Sequence, residues 1–222
     1  MRSLGLVPLL LGFFLSASVA QEVAGAPLEI VTERSLPKAI LMAPYEWKLA
    51  ARGGVPPRQW EVIAGALPDG LTLDRATGTI SGSPNNVGQF RFALEVSDGD
   101  DPPDARTREF TLTVISALTV EWKAFPTVTA DGISGSVKLA NQTGSGTDLT
   151  LIVVAVNEIG KAFVLGYQQF TLSAQTTVPE IPFGSSLPQG SYVVHADVIA
   201  EVPDKNAIYR ARLQTAEPLQ TH

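Results

Sequence analysis

Between Leu67 and Pro84 the chain reads Leu-Pro-Asp-Gly-Leu-Thr-Leu-Asp-Arg-Ala-Thr-Gly-Thr-Ile-Ser-Gly-Ser-Pro, and this stretch restricts the fold more than any other. Leu71–Leu73 and Thr79–Ser81 carry apolar residues at every second position, the period of a half-buried strand. A tight turn joins them, with Pro-Asp-Gly before and Gly-Ser-Pro after. Proline presets φ for turns, and glycine supplies the positive φ that many turns require. Such dense punctuation around short alternating runs predicts a β-sandwich and points to no particular chemistry.

The same alternation runs through the residues around it. Tyr45, Trp47, Leu49 and Ala51 share one face, with Glu46, Lys48 and Ala50 on the other. Trp60, Val62 and Ala64 repeat the pattern, interleaved by Glu61 and Ile63. Phe90, Phe92, Leu94 and Val96 form the clearest case, with Phe110, Leu112 and Val114 as the partner strand. One buried and one wet face per strand is what two sheets packed face to face require. Trp47, Trp60, Phe90 and Phe92 are the expected core anchors, each worth about 2–3 kcal/mol on burial.

From Leu118 onward seven further strands are expected, centred on 118–123, 133–139, 148–157, 162–172, 178–183, 190–202 and 207–213. That is the strand number and turn spacing of a second sandwich. No window has helical periodicity, and 19 glycines and 16 prolines act against helices. The run Leu149–Val156 is apolar at nearly every position. This implies a central strand whose outer face meets the chain's own loops and neighbouring domain or, alternatively, a partner. The Gly184-Ser-Ser186 segment is expected in a loop.

Residues 1–20 have the features of a secretory signal peptide. Arg2 begins it, Leu6–Leu15 is an apolar run, and Ser18-Val19-Ala20 precedes a cut ahead of Gln21. No transmembrane segment is expected in the mature chain. The expected location is periplasmic, cell-surface or extracellular. With no cysteine, the chain has no disulfide, no thiolate metal site and no cysteine nucleophile, so its domains rely on core packing. The formal charge is −6, or about −7 once Arg2 is removed. An acidic chain without a basic run is a poor partner for nucleic acid and lacks the usual electrostatic attraction to lipid surfaces.

These readings give a signal peptide at 1–20, a leader at 21–26, a first domain at 27–116, a second at 117–215 and a flexible tail at 216–222. The first domain resembles the bacterial putative immunoglobulin-like family, close to cadherin-like and dystroglycan-like sandwiches. Leu36-Pro37, Tyr45, Leu49, Gly53-Gly54, Pro56-Pro57 and Trp60 carry the resemblance, followed by Leu67–Asp74, Thr77–Pro84, Gly88, Phe90, Phe92, Val96, Asp98 and Phe110–Val114. The second domain is similar to generic immunoglobulin or fibronectin-III sandwiches through Ile133–Val137, Asn141, Ile181-Pro-Phe183 and Leu187–Val194. The fold class is therefore all-β, with two tandem immunoglobulin-like sandwiches after a signal peptide. The resemblance implies a non-catalytic bacterial module used for spacing, display or binding.

Three sets of residues could carry chemistry. Asp98, Asp100, Asp101 and Asp104 lie in the loop Asp98-Gly-Asp-Asp-Pro-Pro-Asp104, where several carboxylates could offer calcium the oxygens it needs. The full ligand spacing is absent, and aspartate is also a turn former, so a plain hairpin connection is the competing reading. Asp69 and Asp74 sit on other turns. His195, Asp197 and Glu201 fall on one face of the strand at 190–202, with Arg210 and Arg212 on the next strand. A His–carboxylate pair is the minimum for general-base work; a surface ladder of cross-strand ion pairs is the alternative. Tyr167, Tyr192, Tyr209, Phe163 and Phe170 could stack on sugars if exposed in a row, and are core residues otherwise. No nucleophile elbow, phosphate loop or dinucleotide fingerprint is present.

The leading expectation is an exported, non-enzymatic interaction, adhesion or structural module that needs no cofactor. Its expected partner is a protein or polysaccharide of the cell envelope or exterior. A calcium-dependent or carbohydrate-binding module is the alternative, and a hydrolase built on His195, Asp197 and Glu201 is a third.

Overall fold

The computed structural model describes residues 25–222, whose regular elements are all strands apart from one 3₁₀ turn at Pro203–Lys205. The signal-peptide reading of residues 1–20 and most of the leader reading lie outside the described residues. No helix of the described residues is long and apolar enough to cross a membrane.

Nine strands occupy the first half: β1 (Glu29–Ile30), β2 (Ala39–Ile40), β3 (Tyr45–Lys48), β4 (Ala51–Arg52), β5 (Gln59–Gly65), β6 (Leu71–Asp74), β7 (Thr79–Gly82), β8 (Gly88–Ser97) and β9 (Ala105–Ile115). One sheet has the order β2-β9-β8-β5, another β3-β7-β6, and β1 pairs with β4. All pairs are antiparallel except β2 with β9, which run parallel. Ile80 and Leu71 from the smaller sheet meet Trp60, Phe92, Leu94, Val96, Phe110 and Leu112 from the larger in one buried cluster. The alternation in β8 and β9 thus sets which side chains enter this core.

Two details depart from strict alternation. Trp47 stands opposite Ile80, a core residue, yet is 38% exposed. It lies on the edge strand β3, so only one flank of its ring has a neighbouring strand. Ala64 is exposed as well, because a bulge between Val62 and Ala64 shifts the register against β8 and ends the Trp60–Val62 face.

The turn between β6 and β7 is held by Asp74, whose Oδ1 accepts the Ala76 and Thr77 N–H groups at 2.9 and 3.0 Å. Gly78 closes the turn at φ +70°, and a Cβ there would stand 2.6 Å from the Trp60 indole nitrogen. The turn and the core therefore depend on the same position.

The second half contains β10 (Leu118–Val128), β11 (Gly132–Asn141), β12 (Thr147–Asn157), β13 (Ala162–Leu172), β14 (Thr177–Ser186), β15 (Gly190–Val202), β16 (Ala207–Gln214) and β17 (Leu219–Thr221). One sheet is β10-β11-β14. The other is β13-β12-β15-β16, with β17 added beside the start of β15. Leu149, Leu151 and Val153 of β12 and Val194, Ala196 and Val198 of β15 pack against Ile133, Val137, Leu139 and Ile181 from the opposite sheet. The seven strands expected after Leu118 are all present.

β12 is central, between β13 and β15. Its outward residues Ile152, Val154 and Val156 are half-buried. Tyr167 and Asp197 flank Ile152 in register, and Val164 and His195 flank Val154. Cross-strand neighbours on the same face give such residues lateral cover.

Two expectations are corrected here. Gly184-Ser-Ser186 is strand, not loop, because it pairs with Gly132–Ser134 at the end of β14. Residues 216–222 are not a loose tail. Leu219–Thr221 pairs with Gly190–Tyr192, and the Thr221 hydroxyl donates to the Pro188 carbonyl at 2.8 Å. At the same corner the buried Tyr192 hydroxyl donates to Pro188 at 2.9 Å. A tyrosine at the start of this strand bonded back to the chain upstream is a recurring device of immunoglobulin-like sandwiches.

Candidate functional site

The acidic loop joins β8 to β9, and Asp98 organises it. One carboxylate oxygen, Oδ2, accepts the Val55 N–H at 3.0 Å. The other, Oδ1, accepts the N–H groups of Asp100 at 3.2 Å and Asp104 at 2.8 Å. Asp98 is only 9% exposed. These N–H donors, that of Val55 foremost, hold its carboxyl below the usual carboxylate range. The remaining acids turn to local donors: Asp100 to the Asp101 N–H, and Asp104 to the Ala105 N–H and the Arg106 guanidinium. Among the described residues no group of three or more His, Asp or Glu side chains is arranged to hold a metal ion. Asp69 accepts from Asn86 and Asp74 caps its own turn, so neither turns toward this loop.

His195, Asp197 and Glu201 do share the outward face of β15. Asp197 lies opposite Arg212 in register. Its Oδ1 accepts from Arg212 Nε at 2.9 Å and from Arg210 Nε at 3.1 Å, and its Oδ2 from Arg212 Nη2 at 3.1 Å. The Arg212 hydrogen bond is the first cause of a lowered Asp197 pKa, and the same contact raises that of Arg212. A carboxylate held by two guanidiniums stays ionised and is poorly placed to shuttle a proton. The pattern is the cross-strand ladder, with Glu201 opposite Ile208 and His195 opposite Gln214.

The aromatic candidates do not form an exposed row. Tyr192 is buried, and Phe163 stands edge-on to it at 5.7 Å between ring centroids. Phe170 and Tyr209 pack against the core. Tyr167 is 58% exposed on the outer face of β13.

Sequence reading missed two features. Asn141 is a buried polar node: its Oδ1 accepts from the Thr143 N–H and hydroxyl, and its Nδ2 donates to the carbonyls of Ser145 and Ser173. Beside it an open cleft of about 810 Å³ runs between the two halves, with Lys38 and Ile40 on one side and Lys138, Gln142 and Gln175 on the other. The Asn-x-Thr spacing was a signal for the node. The cleft had none, since its walls come from distant segments.

Residues 29–115 match the family described as Putative Ig domain. The matched segment covers every strand of the first half, β1 to β9, and all of the first core except Leu28. No curated protein matches the chain. Among solved structures, EC21–23 of human CDH23 is similar at a TM-score of 0.38 and 14% identity, over 88% of this chain and 63% of that one. EC22–24 of mouse cadherin-23 gives 0.37 and 14%, over 88% and 67%. A Bacteroides fragilis protein described as a putative alpha-galactosidase/melibiase gives 0.37 and 20%, over 42% of this chain and 19% of its own length. The chain thus spans about a fifth of that protein.

Proposed function

We propose that this chain is an exported, non-catalytic module of two immunoglobulin-like sandwiches, 27–116 and 117–215, acting in interaction, adhesion or structural support at the cell envelope. The Ig segment at 29–115 is the observation that carries this reading. The occupation of the acidic side chains supports it: Asp98 is spent on backbone N–H groups and Asp197 on two arginines. The export part rests on the character of residues 1–20.

Three measurements test the proposal. N-terminal sequencing of protein from the envelope fraction is expected to begin at Gln21. Assays over ester, peptide and glycoside substrates are expected to show no turnover, and hydrolysis lost in Asp197→Asn would replace this reading with the enzyme. Asp98, Asp100, Asp101 and Asp104 act as turn formers in this proposal. Calorimetric titration with calcium is therefore expected to give no heat, and saturable micromolar binding would restore the calcium reading.

A further inference from the structure

The two sheets of the second half end on neighbouring free edges. β10 is the outer strand of one, and β16 closes the β13-β12-β15-β16 path of the other. β16 pairs with β15 in unbroken register from Val202 opposite Ala207 to His195 opposite Gln214. Just beyond it, the Thr215 N–H donates to the Val194 carbonyl at 2.9 Å. Bonded and non-bonded pairs alternate along an antiparallel ladder. Counting back from Thr215, Leu213, Ala211, Tyr209 and Ala207 bond to β15. Ile208, Arg210, Arg212 and Gln214 therefore turn their backbone N–H and C=O groups outward, where no described strand pairs with them, although β10 of the facing sheet comes close.

A groove of about 550 Å³ follows this edge, walled by Leu118–Glu121 of β10 and Ile208–Arg212 of β16, with Leu41 and Met42 also lining it. Ile208 and Met42 are 70% and 67% exposed, large apolar side chains standing in water at its margin. Met42 is held there in the left-handed region, at φ 60°, a conformation uncommon outside glycine. Tyr209, Ala211 and Leu213 pack on the core yet are only half-buried, so the inward row of the edge is incompletely covered. The charges on the edge strand itself are both positive, Arg210 and Arg212. Their carboxylate partner Asp197 lies one strand further in, as does Glu201. Across the groove Glu121 is turned to Lys138 at 3.6 Å.

We propose that β16 takes up an extended segment of a partner protein as an added strand. Its acidic residues lie beside Arg210 and Arg212, and its alternate apolar residues enter the groove over Tyr209, Ala211 and Leu213. Backbone bonds to the outward groups supply affinity, and the two rows of side chains supply selectivity. A second copy is the poorer occupant. The longest antiparallel pairings of β16 with itself about a two-fold axis, centred on Arg210, Ala211 or Arg212, each set an arginine against an arginine, and like charges directly opposite oppose pairing. The proposal rests on the interaction-module reading and names the surface that would do the work.

The test is calorimetric titration of the full chain with the synthetic peptide Thr-Val-Glu-Val-Glu-Val-Glu-Val-Thr, and with its counterpart carrying Lys for Glu. The acidic peptide is expected to bind saturably and the basic one at least about tenfold more weakly. Ile208→Pro removes one outward N–H and spares the β15 ladder, so binding is expected to be lost with the unfolding midpoint retained. The surface variant Arg210→Glu/Arg212→Glu is expected to reverse the preference between the peptides. Hydrogen exchange at Arg210 and Arg212 is expected to slow when the acidic peptide is present. Absence of binding, binding indifferent to both variants, or protection confined to another edge overturns the proposal. So does a dimer dispersed by Ile208→Pro, which assigns the edge to a second copy. Each of these results leaves the export and turnover tests of the module itself untouched.

Discussion

At Gly78 two demands meet in a single position. The backbone is left-handed at φ +70°, and the space where a Cβ would stand is filled by the Trp60 indole. Gly78→Ala is expected to cost about 2–3 kcal/mol, combining left-handed strain with displacement of a core aromatic. Gly144→Ala, where a Cβ meets nothing within 4 Å, is the matched control and is expected within about 0.5 kcal/mol of the parent in urea denaturation. Asp98 carries a second prediction. Its folded pKa lies below the ordinary value near 3.9, so the unfolded chain takes up its proton first on acidification. The stability it contributes is complete above about pH 5 and falls as pH drops through 4 toward the depressed folded value. Asp74 and Asp197 shift in the same direction. Urea midpoints measured from pH 7 to pH 3 are expected to fall, and Asp98→Asn is expected to start lower and fall less steeply over that range.

At the level of elements, the C-terminal strand shows how a short piece is fastened. β17 has three residues, but Thr221 bonds the carbonyls of Pro188 and Gly190, and Leu219 packs on the second core. Removing residues 219–222 is expected to cost about 2 kcal/mol, read as a fall of roughly 8–16 °C in the melting midpoint of the second half if it melts as a unit of its own. The polar composition of 216–222 gave no sign of this, since hydrogen bonds to distant carbonyls leave no local pattern. Strands β8 and β9 were legible because their apolar residues follow the two-residue period, and β12 because its run is apolar at nearly every position. The bulge after Val62 and the exposure of Trp47 were not, for each depends on what the neighbouring strand does. Candidate sites divide the same way. The Asp197–Arg212 pair followed from period and hairpin order, and the acidic loop from its position between β8 and β9. Which acid would gather the N–H donors, and the groove between β10 and β16, required the tertiary fold.

Over the whole molecule, buried side chains form two clusters, one drawn from residues 28–114 and one from 118–200. If each is its own cooperative unit, Leu94→Ala lowers only the transition reported by Trp47 and Trp60, and Leu151→Ala only that reported by Trp122, each by about 2–5 kcal/mol. Calorimetry with tryptophan fluorescence checks this; a single transition moved equally by both substitutions would mean one unit. Only Ser116 and Ala117 separate β9 from β10, and the Ala117 carbonyl is tied to the Gln142 N–H at 2.8 Å. There is little slack to take up between the two halves. Tension along β9 reaches β10 through only two residues, so the two ladders are loaded in series, as spliced lengths of rope are.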